Sequence, residues 1–164
     1  MRHAATFRAY FTNQATEELL QELNQPSFTE EHLSTLDPLT VEEIRKNQID
    51  LRSKPIIGIR RIATEGSQTR LGGRIIKGSA GVRITLDGGV RVFVAAKGDL
   101  VEYPDGTTAR IVTGAGKGYS DIALVGSRLD NGDEIINTPQ ASALLAMRAG
   151  KQWADDFLPE GSDQ

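Results

Sequence analysis

The sequence predicts a mainly β fold, a three-part β unit flanked by short N-terminal helices and a C-terminal helix. Three observations carry this. No glycine precedes Gly58, yet 15 of the 17 fall between Gly58 and Gly132. Within that stretch, apolar and polar residues alternate on both sides of an Asp87-Gly88-Gly89 turn. A polar, Gly-containing turn layout also recurs three times.

The first 55 residues read as short helices. Thr6 is placed to cap a segment in which Phe7, Tyr10 and Phe11 share one face. Thr16-Glu17-Glu18 leads into Leu19, Leu20 and Leu23, with acids suited to the positive end of the helix dipole. Ser27 to Glu30 and Thr40 to Glu43 match capping boxes, with Pro26 and Pro38 as punctuation. Such short helices need a surface to pack on.

Residues 56–137 form the β unit. Val82, Ile84 and Leu86, then Val90, Val92 and Val94, give the period-two pattern of a hairpin. Ala109 to Val112 and Ile122 to Val125 are further short strands, and Asp105-Gly106 and Asn131-Gly132 mark tight turns. In residues 138–164, Thr138 and Pro139 read as N-cap and first position of a helix covering Ala141 to Ala149. Trp153 and Phe157, four residues apart, would extend its apolar face.

The repeat starts at Gly66, Gly98-Asp99 and Gly126, which are 32 and 28 residues apart. Each start leads through a polar turn to an apolar pair: Ile75-Ile76, Ile111-Val112 and Ile135-Ile136. Three like turns in one chain suggest approximate threefold symmetry. A small β-barrel rich in glycine turns would show similar spacing, and spacing alone leaves both open.

Bulk properties exclude several classes. The chain has 164 residues, 38% hydrophobic and 5% aromatic, so its core must rest on Val, Ile, Leu and Ala. A net charge of −3 gives no general attraction to nucleic acid or anionic lipid. With no cysteine there is no disulfide or thiolate metal site. No apolar run approaches the roughly 20 residues needed to span a bilayer. Met1-Arg2-His3 leads into no signal-like apolar stretch, so synthesis and folding in the cytoplasm are expected.

No catalytic site assembles either, and no enzyme activity is expected. Gly114-Ala115-Gly116-Lys117-Gly118 suggests a phosphate loop but lacks the following Ser or Thr and the helix. The acids from Asp130 to Glu134 lack the alternating spacing of a calcium loop. Asp99 is read as bracing its own turn through backbone N–H groups. The arginines from Arg60 to Arg91 read as a solvent face or a surface for an acidic partner, without the aromatics that stack on single-stranded nucleic acid.

At this point the sequence resembles the PAAR-repeat family, whose members cap the spike of contractile injection machines. The resemblance rests on Gly72-Gly73-Arg74-Ile75-Ile76-Lys77-Gly78-Ser79-Ala80-Gly81-Val82-Arg83-Ile84 and on Ala95-Ala96-Lys97-Gly98-Asp99. It covers roughly residues 60–137, about half of the chain. It implies a small conical unit whose base sits on a trimeric β-helical spike and whose point helps to puncture a target envelope. The apparatus would be a type VI secretion system, a phage tail or an extracellular phage-like injector. The particle would be assembled in the cytoplasm and the tip delivered outside on firing, in transient contact with the target membrane. The helical ends would recruit an effector, bind a chaperone or brace the cone.

The chain departs from the family pattern in places. Val94 or Phe93 stands where the eponymous proline is expected, and Lys97 stands in place of arginine. Family members hold a tip metal through three His and a Cys; the matching places here carry Leu71, Tyr103, Asp105 and Asn131. Leu71 cannot coordinate a metal. The two histidines, His3 and His32, lie outside the β unit. No zinc-type cofactor is therefore expected, and the candidate tip turns are Leu71-Gly72, Tyr103, Asp105-Gly106 and Asn131-Gly132. The alternative is a free-standing β binding or adaptor module that recruits an effector through its helical ends.

Overall fold

The computed structural model describes residues 9–25, 30–86, 88–150 and 153–159, without the side chains of residues 50–52. It contains three α-helices and seven short strands in small sheets. By packing, the chain divides into two units. One comprises residues 1–14, 60–145 and 153–164, and the other residues 15–59 and 146–152.

The second unit holds the helices. In α1 (Glu17–Leu23), the predicted acids Glu17 and Glu18 stand in the first turn, and Thr16 is the N-cap, its hydroxyl accepting from the N–H of Leu19 at 3.0 Å. Asn24 ends this helix, and its side-chain amide exchanges two hydrogen bonds with the main chain of Ile56 at 2.8 and 3.0 Å. The predicted capping box at residues 27–30 lies mostly outside the described residues, and α2 spans Glu30–Leu33. Helix α3 (Pro38–Ser53) begins earlier than predicted. Asp37 is the cap, accepting from the N–H of Thr40 at 2.8 Å, so Thr40 is inside the helix and Pro38 opens it. Arg45 grips Glu30 with both terminal guanidinium nitrogens, at 2.8 and 3.1 Å.

In the first unit the Gly-rich sequence becomes three hairpins with one bonding pattern. In the first, Gly66 N–H donates to Ile75, Ile75 to Ser67, Ser67 to Thr64, Thr69 to Gly73 and Gly72 to Thr69. The hairpin from Gly98 to Ile111 makes the same five bonds at Gly98, Ile111, Asp99, Tyr103 and Gly106. The hairpin from Gly126 to Ile135 repeats them at Gly126, Ile135, Ser127, Leu129 and Gly132. The glycine that opens each hairpin (Gly66, Gly98, Gly126) and the one in its turn (Gly72, Gly106, Gly132) have positive φ, from 87° to 107°, which explains the choice of glycine. The middle hairpin is the longest and forms regular strands β5 (Leu100–Glu102) and β6 (Thr108–Arg110).

The hairpins also pair with one another. Val101 of the second faces Ile75 of the first, in the ladder of β5 with β2 (Arg74–Ile75). Thr69 faces Ile135, joining the first to the third, and Leu129 faces Ile111, joining the third to the second. Beneath them three alanines close a ring of main-chain bonds. Ala63 donates to Ala123 at 2.9 Å, Ala123 to Ala95 at 2.8 Å and Ala95 to Ala63 at 3.0 Å. All three are fully buried, and with Ile75, Ile111, Ile135, Val101 and Leu129 they build an aliphatic core. Only a small side chain fits where three backbones approach this closely.

The predicted hairpin around residues 82–94 is present as β3 (Arg83–Thr85) paired with β4 (Arg91–Phe93). The predicted C-terminal helix is not. Leu144–Arg148 is a strand, β7, paired with β1 (Ile56–Arg61). Thr138 is no helix cap, because its N–H and C=O bond to Phe11 at 2.9 and 2.8 Å. Gln140 then holds a turn, accepting from Ala143 N–H at 2.7 Å and donating to the carbonyls of Ile62 and Ala143. Leu-Leu-Ala-Met-Arg favours helix intrinsically, and pairing with β1 overrides that preference.

The same bridge corrects the reading of Phe11, which lies in extended chain, while Thr6 and Phe7 lie outside the described residues. Trp153 and Phe157 do meet, stacked at 4.3 Å, but in a turn-rich segment. Arg61, read as surface, is 8% exposed. Its guanidinium donates to the carbonyls of Thr12 and Ala141 at 2.5 and 2.9 Å, anchoring the N-terminal segment.

Candidate functional site

Each hairpin ends in one of the turns singled out from sequence. Leu71 is 64% exposed beside Gly72, and Asp105-Gly106 and Asn131-Gly132 are exposed as well. All three turns meet at Asp133. The phenol of Tyr103 donates to an oxygen of Asp133 at 2.5 Å and accepts from the amide of Asn131 at 3.0 Å. The remaining turn joins through the Thr69 side chain and through Leu71 N–H, which donates to the other oxygen of Asp133 at 3.1 Å. Asp105 is not brought into this cluster. It accepts from the N–H and hydroxyl of its own neighbour Thr107, at 3.0 and 2.6 Å. The Thr107 hydroxyl holds the Asp105 carboxyl below its ordinary range.

Asp133 is the centre of the cluster; in sequence it reads only as one of the acids from Asp130 to Glu134 and not as a candidate tip residue. It is 2% exposed. Burial acts to raise its pKa, but hydrogen bonds from Thr69, Tyr103, Glu134 N–H and Leu71 N–H outweigh that and hold the carboxyl below its usual value. Tyr103 is shifted the other way, raised first by burial and then by its bond to Asp133. Thr69 in turn accepts from Gly73 N–H at 2.8 Å. The signal for Asp133 lay in comparing the turns: after Gly72, Gly106 and Gly132 come Gly73, Thr107 and Asp133. An acid beside glycine and threonine at one repeated position indicates a role special to that turn.

These donors do not fit a tetrahedral metal. Leu71 offers no side-chain ligand, Asp105 faces its own turn, and Thr69, Tyr103 and Asp133 are spent on one another. Among the described residues, no group of three or more His, Cys, Asp or Glu side chains gathers as metal ligands do. His32 is in α2, and His3 lies outside the described residues.

The repeat starts carry bracing of their own. The Asp99 carboxylate accepts from Ala96 N–H at 2.8 Å and from the N–H and hydroxyl of Ser79 at 3.0 and 2.5 Å. In the other two hairpins Ser67 and Ser127 do the first of these tasks, accepting from Thr64 and Leu124 at 3.0 Å. The loop at residues 114–118 contains a short 3-10 turn, Lys117–Tyr119. Its Lys117 N–H, which a phosphate loop would aim at an anion, donates to the Asp156 carboxylate at 2.9 Å. Among the described residues, no helix is long and apolar enough to cross a membrane.

No family model, no curated protein and no solved structure matches this chain.

Proposed function

We infer that this chain is the tip of a contractile injection apparatus, a PAAR-like unit that caps a trimeric β-helical spike. The ring of bonds through Ala63, Ala95 and Ala123 carries the reading. It gives one chain three equivalent main-chain positions around a common point. A single chain of that kind can meet a true threefold partner without leaving mismatched surface.

On this reading the three hairpins form a cone with approximate threefold symmetry, and its point is the cluster of Thr69, Tyr103 and Asp133. The hydrogen bonds there do the cross-linking that the family's metal does, so the tip works without metal. The opposite end continues the strand pairing of the spike and covers its open edges. The function is mechanical and no catalytic residue is involved. The helical unit would hold an effector or a chaperone.

The test is co-production with a trimeric β-helical spike protein from the same genome, followed by purification on the spike. Capture of this chain in a stable complex supports the reading. A chain that never associates with the spike contradicts it, and would favour a free-standing adaptor.

A further inference from the structure

Asn131 is the residue before the turn glycine of the third hairpin, where its counterparts are Leu71 and Asp105. Of Asn13, Asn24, Asn47, Asn131 and Asn137, it alone precedes a glycine. The side-chain amide of an asparagine in that place is open to attack by the next main-chain nitrogen, because glycine has no Cβ to hinder the approach. Asn131 and Gly132 are both exposed, and nothing lies within 4 Å of where a Gly132 Cβ would stand. The counterparts do not share this chemistry. Leu71 has no side-chain carbonyl, and Asp105 carries a carboxylate, a poor electrophile, that its bonds from Thr107 keep ionised.

Three hydrogen bonds hold the native turn against the reaction. The Asn131 side-chain nitrogen donates to the Tyr103 hydroxyl at 3.0 Å, and its oxygen accepts from Asp133 N–H at 3.0 Å. The attacking nitrogen is engaged as well, since Gly132 N–H donates to the Leu129 carbonyl at 3.0 Å. Of the three, only the Tyr103 bond reaches in from another hairpin. It makes the chemistry of Asn131 depend on how the hairpins are joined.

We propose that Asn131-Gly132 is a self-modification site, guarded by Tyr103, whose product loosens the contacts around Asp133. The Gly132 nitrogen, its proton lost to a solvent base, attacks Cγ of Asn131. The new N–Cγ bond closes a five-membered imide, while the Cγ–Nδ2 bond breaks and the nitrogen leaves as ammonia with a proton taken from solvent. Water then opens the ring to aspartate or isoaspartate. The sum consumes water and releases ammonia, with nothing oxidised or reduced. Either product puts a carboxylate where the Tyr103 oxygen now receives an N–H. The phenol has a single proton, which already goes to Asp133 at 2.5 Å, so two carboxylates then compete for it. Isoaspartate also inserts a carbon into the main chain between Leu129 and Asp133, which bond across the turn at 2.9 Å. The proposal rests on the bonds around Asp133 and stands independently of the spike-tip reading.

The test incubates the full chain in mildly alkaline buffer and follows every asparagine by peptide mapping with mass spectrometry. Conversion to the acid is expected at Asn131 before any other asparagine. It should run about tenfold faster in Tyr103→Phe, the factor that follows from losing one ordinary hydrogen bond. No conversion at Asn131, or equal rates in the two proteins, overturns the proposal. The effect of the product is read separately, by urea unfolding of Asn131→Asp. That change should lower the folding equilibrium constant about tenfold in the otherwise native chain, and much less in Tyr103→Phe, where no phenol oxygen faces the new carboxylate. No loss in the native chain, or an equal loss in both, also overturns it.

Discussion

The hydroxyl of Tyr103 lies 2.5 Å from a carboxylate oxygen of Asp133, a residue of a different hairpin. The contact ties two turns together. Asp133 also accepts main-chain bonds from Glu134 and Leu71. Replacing it with alanine leaves several buried donors without an acceptor, and a loss of about 2–4 kcal/mol is expected in urea unfolding. Tyr103→Phe removes one donor and should cost less, about 1 kcal/mol. Equal, negligible effects would show that the cluster does not hold the turns.

Acid should loosen the same place. The folded-state pKa of Asp133 is below its unfolded value, so its contribution is complete above the unfolded pKa, near 3.8. It is lost as pH falls through the folded value. Stability measured by chemical denaturation should therefore decline below about pH 4, and Asp133→Asn should flatten that decline. Other lowered carboxyls, Glu30, Asp37 and Asp105, are exposed and should add little.

Two glycines should respond differently to alanine. At Gly78 a Cβ would lie 2.5 Å from the carbonyl oxygens of both Phe93 and Val94, rigid main-chain neighbours. Gly132 has open space but a φ of 87°. Gly132→Ala should cost about 1 kcal/mol from backbone conformation alone, and Gly78→Ala clearly more. Thermal melting of the two variants checks the order.

Arg61 is expected to hold the N-terminal segment in place. Burial lowers its pKa, and its guanidinium bonds to carbonyls rather than to a carboxylate. Arg61→Ala should release residues 11–14, seen as faster amide hydrogen exchange at Phe11 and Thr138, with a stability loss of roughly 2–3 kcal/mol. Unchanged exchange would mean that the Phe11–Thr138 bridge suffices alone.

The hairpins were legible because their glycines mark positive-φ positions, and Gly66, Gly98 and Gly126 recur in one register. What joins them was less so. Thr69 and Asp133 meet Tyr103 only when the three hairpins pair, and no local pattern signals that. The strand at Leu144–Arg148 was hidden for the opposite reason, since its residues prefer helix and only the neighbouring β1 makes it a strand. Phe11 likewise follows its bridge to Thr138 rather than its local spacing.

The ring of Ala63, Ala95 and Ala123 is read as the device that lets one chain meet three. Native mass spectrometry of the complex with a trimeric β-helical spike tests this most directly. The account predicts one copy of this chain bound to each spike trimer. Three copies per trimer, or no complex at all, would contradict it.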